Sequence, residues 1–483
     1  MSQTVRHAAL RTLLPGFAGA SLPDWLGELL DDGLGGVCLF GPNLESPEQT
    51  RRLTAEILAA NPHALIAVDE EGGDVTRLSY RTGAPYPGNA LLGRLGDLAL
   101  TERTARAVGW QLREAGVNVD FAPDADVNSN PDNPVIGVRS FGADPGPVAD
   151  HVAAWVSGLQ AAGVAATAKH FPGHGDTAQD SHLALPVVDR SAAELSAREL
   201  VPFRAAIEAG AKLVMTSHLL LPQLDAESPA TMSEPVLEGL LRGELGFHGV
   251  VVSDALDMAG ASAELGIPAA AVRALAAGVD LLCVGTDNAA EQLEQIVAAV
   301  EAAVASGELD AGRLTDASAR VSRLAVELAT ARETTPLPAA GSHEPVYDLA
   351  QLAGGFDVSD AARAWLSVGG PYRLARVESE SNLAVGIAPW GPFAAGAREE
   401  LLVTPGSALV DPGEGRLVVV GRDLHRHGHA RDFIAAARRR GGASVLVVDM
   451  GWPSDDRRFA DIATFGASRL VGRALLELLG GAR

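Results

Sequence analysis

Two kinds of segment alternate through residues 30–290. Apolar, β-rich runs are separated by runs rich in Ala, Leu, Arg and Glu whose apolar residues recur at helical spacing. The strand candidates are GVCLFG (36–41), LIAVD (65–69), VNVDFAP (117–123), VAATAKH (164–170), KLVMTSH (212–218), GVVVSD (249–254) and DLLCVG (280–285). LLPGF, from Leu13 to Phe17, adds a short first strand and brings the number to eight. Strands that are apolar throughout are buried on both faces, as in a parallel sheet covered by helices. Strand–helix alternation of this length predicts an α/β chain built as a (β/α)8 TIM-type barrel. A doubly wound open sheet is the alternative, and no GxGxxG follows an early strand to favour its dinucleotide-binding form.

The helical runs include SPEQTRRLTAEILAA (46–60) and SAAELSARELVPFRAAIEAG (191–210). The second opens with Ser191 and Glu194 at capping-box spacing. A further helix, AGRLTDASARVSRLAVELATAR, ends near residue 332. TTPLPAAGSHEP (334–345) then reads as a linker, with three prolines and no periodicity. Beyond it, GRLVVVGRD (415–423) and ASVLVVDMGWP (443–453) predict buried strands, with helices over DFIAAARRR and ASRLVGRALLELL. The expected organisation is a barrel over 1–333, a linker over 334–345 and a smaller α/β layered domain over 346–483.

Several classes of function are disfavoured. A formal net charge of -23 repels nucleic acid and anionic membranes. No stretch approaches the length of a membrane span. The N-terminal apolar run is short and broken by Pro15 and Gly16, unlike a secretory leader, so a cytoplasmic location is expected. Cys38 and Cys283 sit in apolar runs and read as buried thiols. His-x-x-Glu and Cys-x-x-Cys spacings are absent, and no metal or cofactor is expected. His425, His427 and His429 alternate in LHRHGHA and read as a solvated turn rather than a metal site.

The strand ends carry the chemistry. In order they finish in Asp69-Glu70-Glu71, Asp124, Lys169-His170, Ser217-His218, Ser253-Asp254 and Thr286-Asp287. In a barrel these ends converge on one mouth, where catalytic groups sit. Asp254 ends GVVVSD and is the candidate nucleophile, base or ligand there. Asp257 reads as a helix-start residue. In an extended segment Asp180 and His182 point to the same side, so the carboxylate can hold the imidazole and raise its basicity. The pair can then give and take a proton. Two glycines flank His174 in PGHG (172–175), which reads as a hinge. Of 38 basic residues only Lys169 and Lys212 are lysines, so Lys169 marks a place where a compact ammonium is wanted rather than a planar guanidinium.

KHFPGHGDTAQDSH (169–182) resembles the signature of glycoside hydrolase family 3, and its Asp-Ser-His triplet is similar to that of the family's β-N-acetylglucosaminidases. DEEGGDVTR (69–77), NPVIGVRSFG (133–142) and VVSDALDM (251–258) resemble three further segments of the family. The resemblance implies a retaining, exo-acting enzyme on a TIM-type barrel, acting on terminal β-linked N-acetylglucosamine of short glycans or muropeptides. It implies Asp254 as the nucleophile, His182 as the general acid/base and Asp180 as its partner. Asp69, Arg77, Arg139, Lys169 and His170 match sugar-binding positions. Asp74 departs from the pattern, since many relatives carry Arg there. An Asp–His pair puts no second carboxylate beside the leaving group, so phosphate could attack in place of water, and a phosphorylase is the alternative. A catalytically dead sugar-binding barrel is the minor alternative, set against the presence of Asp254, Asp180 and His182. The six tryptophans lie outside the four motifs, which favours release of single terminal sugars over binding of long polymers.

Overall fold

A computed structural model describes residues 2–177, 185–263, 265–339, 346–379, 384–406 and 410–480. The chain forms two compact units. The first comprises Met1–Glu70, Leu98–Val127 and Ala143–Pro345, and the second Glu71–Asp97, Asn128–Gly142 and Val346–Arg483.

The first unit holds eight parallel strands: β1 (Leu13–Phe17), β2 (Gly36–Cys38), β3 (Leu65–Val68), β4 (Val119–Asp120), β5 (Ala165–Phe171), β6 (Leu213–Thr216), β7 (Val250–Val252) and β8 (Leu282–Asn288). Strands β2 to β7 form one sheet in sequence order. A bridge from Val252 to Leu281 leads into β8, and β8 pairs in parallel with β1, Leu282 opposite Leu13. At the remaining seam the Gly35 N–H donates to the Leu10 carbonyl at 3.0 Å. This is the strand order of a TIM-type barrel.

Alternation along each strand fills the barrel. Leu14, Cys38, Leu65, Ala67, Val119, Phe121, Ala165, Leu213, Met215, Val250, Val252 and Cys283 form one buried cluster, as a period of two demands. Val321, Leu324, Ala325 and Leu328 of the helix Ala311–Thr334 join it. Asp280, wholly buried just before β8, receives Arg242 and Arg313 at 2.6 Å each and the Val251 amide at 3.0 Å. A buried carboxylate needs such partners.

The helix at Pro47–Ala60 starts at its Ser46 cap, which accepts the Gln49 amide. The run at 191–210 departs from expectation. It forms two helices, Ala192–Ala197 and Leu200–Glu208. Ser191 and Glu194 make the expected capping box on the first. Pro202 explains the break: it has no N–H for the carbonyl of Arg198 and its ring crowds that carbonyl.

The second unit carries a six-stranded sheet made of β9 (Asp357–Val358), β10 (Arg373–Val377), β11 (Leu401–Val403), β12 (Leu417–Gly421), β13 (Val445–Asp449) and β14 (Ile462–Ala463). The order is β9-β14-β13-β12-β10-β11, parallel except at β9–β14. Val418 and Val420 enter one core while Leu417 and Val419 enter another, so both faces are covered. Residues 71–97 and 128–142 pack in this unit, whereas the sequence expectation placed them with 1–333. Leu91 is part of its first core, and Arg94 lies 4.1 Å above the Phe465 ring while donating to the Gly355 carbonyl at 2.7 Å.

Candidate active site

The polar groups expected at the barrel mouth pair in ways the sequence does not show. Asp69 directly follows β3, and Lys169 lies near the end of β5. The Lys169 ammonium donates to Asp69 Oδ1 at 2.7 Å, with only 2% of its side chain exposed. Asp120, at the end of β4, accepts the Glu70 amide at 2.9 Å. Burial pushes Asp120 well above the usual carboxylate range, while the Glu70 amide and the Lys169 charge pull it down. A compact, almost fully buried cation therefore sits beside carboxylates, which suits an ammonium better than a guanidinium.

His170 is buried, and its peptide bond to Lys169 is cis. Its Nδ1 lies 2.7 Å from Asp126 Oδ2. Asp126 was not among the expected site residues. It also accepts the amides of His170 at 3.3 Å and His174 at 2.6 Å. Burial alone would raise the Asp126 carboxyl, but the attraction and hydrogen bond of His170, with help from His174, hold it below its ordinary value.

His174 is not on a free hinge. It is buried, and its Nδ1 lies 2.8 Å from the Thr177 hydroxyl, which donates to the His174 carbonyl at 3.1 Å. Burial pushes His174 down to about 4 against the pull of Asp126 and, more weakly, of Asp254. It is neutral near pH 7. Gly173 adopts φ +132, and a side chain there would meet Glu199 at 2.7 Å. Asp176 accepts Arg190 at 2.9 Å and Arg198 at 2.7 Å. The glycines thus serve a tight, anchored turn. Asp180 and His182 lie outside the described residues.

Asp254 follows β7 and is partly exposed, and its Oδ1 accepts the Ala255 amide at 2.8 Å. The Asp257 carboxylate instead accepts the Thr286 amide at 3.2 Å, hard against Gly285. His218 is buried between the Thr231 hydroxyl and the Ala255 carbonyl. In the first unit, then, Asp69 and Lys169 are brought together, and His170 joins a partner the sequence reading missed.

Arg77 and Arg139 belong to the second unit. Arg139 is 4% exposed and forks onto Glu71, with Nη2 at 2.7 Å from Oε1 and Nε at 3.0 Å from Oε2. Arg77 donates to the Ala384 carbonyl at 2.9 Å. Asp74, the departure from the family pattern, accepts the Ala467 amide at 2.7 Å. Burial pushes Asp74 up to about 6, against the pull of Arg422 and the Ala467 amide. An acidic residue is accommodated because this unit supplies both a cation and an amide. Gly73 permits the turn beside it, since a Cβ there would meet Gly88 at 2.7 Å. In the histidine run, His429 meets the Glu378 carbonyl at 2.8 Å and His425 lies 4.0 Å from Asp449.

Asp74 makes the stability of this unit depend on pH. A carboxyl whose folded pKa lies above its unfolded value contributes stability that is fully present below the unfolded value, near 3.9, and is lost as pH rises through about 6. Asp74→Asn removes that dependence. The variant should gain on the parent by about 1–3 kcal/mol between pH 4 and pH 7, the lower figures reflecting the partly exposed side chain. Denaturant titrations at both pH values read this directly, and parallel curves would show that Asp74 is not the group responsible.

The fold is a TIM-type barrel with carboxylates at its strand ends. Residues 24–324 match the glycosyl hydrolase family 3 N-terminal domain, and the chain belongs to that family. It is 38% identical over 338 residues to the β-hexosaminidase A of Pseudoalteromonas piscicida, covering 64% of this chain and 56% of that one. The chain thus spans little more than half the length of that relative. Over 284 residues it is 42% identical to a β-hexosaminidase of Stenotrophomonas maltophilia strain K279a, covering 56% of this chain and 82% of the relative. Among solved structures, a family 3 β-N-acetylglucosaminidase from Paenibacillus sp. str. FPU-7 superposes with a TM-score of 0.85 at 31% identity, over 99% of this chain and 97% of that one. Among the described residues, no helix is long and apolar enough to cross a membrane.

Proposed function

We propose that the protein is a retaining, exo-acting β-N-acetylglucosaminidase that releases terminal β-linked N-acetylglucosamine from short glycans or muropeptides. The observation that carries this reading is the partly exposed Asp254 carboxylate at the end of β7, in the unit that also holds Asp69–Lys169 and Asp126–His170. The hexosaminidase and N-acetylglucosaminidase relatives support the choice of sugar.

In the proposed reaction Asp254 attacks the anomeric carbon while His182 gives its proton to the leaving oxygen. His182, steadied by Asp180, then takes a proton from water as that water displaces Asp254. The two inversions restore the starting configuration. Asp69, Lys169 and His170 would hold sugar hydroxyls. Arg77 and Arg139 are assigned to sugar binding on the strength of their motifs alone. None of the six tryptophans is exposed, which is consistent with single-sugar release rather than a row of aromatic platforms along a polymer.

The test is a panel of aryl β-glycosides differing at the sugar 2-position, assayed with and without phosphate. Preference for the 2-acetamido sugar and release of the free sugar are expected. A 2-hydroxyl preference would sink the choice of sugar. Sugar 1-phosphate as the main product would replace the hydrolase with a phosphorylase.

A further inference from the structure

Asp126 is fully buried, yet it is the point on which the turn after β5 is hung. One carboxylate receives the His170 ring at 2.7 Å, the His170 amide at 3.3 Å and the His174 amide at 2.6 Å. An ionised carboxylate only accepts, so the His170 proton facing it resides on Nδ1. In the neutral ring Nε2 is then the acceptor.

We propose that Asp126 is a positioning residue for the glycosidase reaction, fixing the His170 ring as its Nδ1–H tautomer so that Nε2 accepts a hydroxyl of the bound sugar. This inference rests on the hydrolase reading above. The Asp126–His170 couple has a different task from the one proposed for Asp180 and His182. It orients a binding group, whereas the other pair moves the proton. The arrangement follows the general rule that the hydrogen bond made by one ring nitrogen decides what the other can do.

A metal ion is the competing occupant, because donor atoms of Asp124, Asp126 and His170 lie within 4.8 Å of one another. The two Asp126 oxygens and His170 Nδ1 are already engaged. Asp124 Oδ1 accepts the Asp126 amide at 3.0 Å, and the Asp126 oxygens accept the three N–H groups above. A cation on Asp126 would compete with the N–H groups its oxygens accept.

Asp126→Asn tests the assignment because it keeps shape while offering N–H2 where the ring now donates, which favours the wrong tautomer. It should lower kcat/KM on an aryl N-acetyl-β-glucosaminide by about 10–100-fold, chiefly through KM. His170→Ala should lose a similar amount, and the double variant should be no worse than His170→Ala alone. Additive losses, or an Asp126→Asn variant within about twofold of the parent, would overturn the proposal. Nitrogen-15 NMR of the parent gives an independent readout should Asp126→Asn fail to fold. A His170 proton on Nε2 instead of Nδ1 would overturn the tautomer assignment. So would activation by added Zn²⁺ or Mn²⁺ that disappears in Asp126→Asn, which would make the cluster a metal site. A parent inactive on the 2-acetamido substrate would remove the hydrolase reading and this inference with it. An active parent with additive losses would remove only the inference.

Discussion

Alanine at position 254 is expected to abolish turnover on every β-N-acetylglucosaminide, with kcat reduced on the order of 10⁴-fold or more. The size follows from the role. A nucleophile is needed to form the covalent intermediate whatever the leaving group, so activated substrates should not escape the loss. Asp254 follows a three-residue strand buried in the barrel core, and its own carboxylate caps the Ala255 amide. Truncation removes the attacking oxygen and leaves the strand in place, so thermal unfolding should change little. Azide, small enough to occupy the vacated space, should restore part of the rate on an activated substrate and yield a glycosyl azide of inverted configuration. A retained configuration in that product, or activity above about 1% without azide, would move the nucleophile elsewhere. Asp257 is the residue to compare, since its carboxylate is spent on the Thr286 amide.

The barrel was legible because a parallel, doubly covered sheet writes itself as unbroken apolar runs. LLPGF is β1 residue for residue, five of the other runs enclose a barrel strand, and the runs at 164–170 and 280–285 overlap strands that continue to Phe171 and Asn288. Periodicity also marked helical runs such as 46–60, but not the break at Arg198–Glu199, where one proline overrides an otherwise regular pattern. In the second unit only the two longest apolar runs stood out. β9, β11 and β14 have two or three residues each, too short for a period to register. Residues 71–97 and 128–142 lie between barrel strands in sequence, and nothing local announces that Leu91 belongs to another core.

At the site, strand ends marked Asp69, Lys169, His170 and Asp254 because a barrel gathers those ends at one mouth. What each group touches was hidden. Asp126 sits in a DAD run that reads as ordinary loop, and its match to a ring 44 positions later depends on the return of the chain along β5. The fork between Glu71 and Arg139 spans 68 positions in the same way. PGHG was ambiguous because glycine permits both a hinge and a tight anchored turn, and the contacts around Gly173 could not be read from sequence. Lysine rarity drew attention to Lys169, but its pairing with Asp69 was not legible.

His182→Ala is expected to split substrates by leaving group. For a poor leaving group, such as a second sugar, kcat/KM should fall on the order of 10²–10⁴-fold, because the departing oxygen must be protonated as its bond breaks. For a dinitrophenyl glycoside the loss in kcat/KM should stay within about tenfold, because that oxygen leaves readily as an anion. The comparison must use kcat/KM, which reports cleavage of the first bond. kcat on the activated substrate will fall further, because water still lacks its general base in the second step. An acceptor that needs no deprotonation, such as azide, should recover that kcat and thereby separate the acid role from the base role. Equal losses in kcat/KM on both substrates would mean that His182 only shapes the site. Asp180→Asn should show the same split in milder form, since it leaves the imidazole present but less basic and less well held.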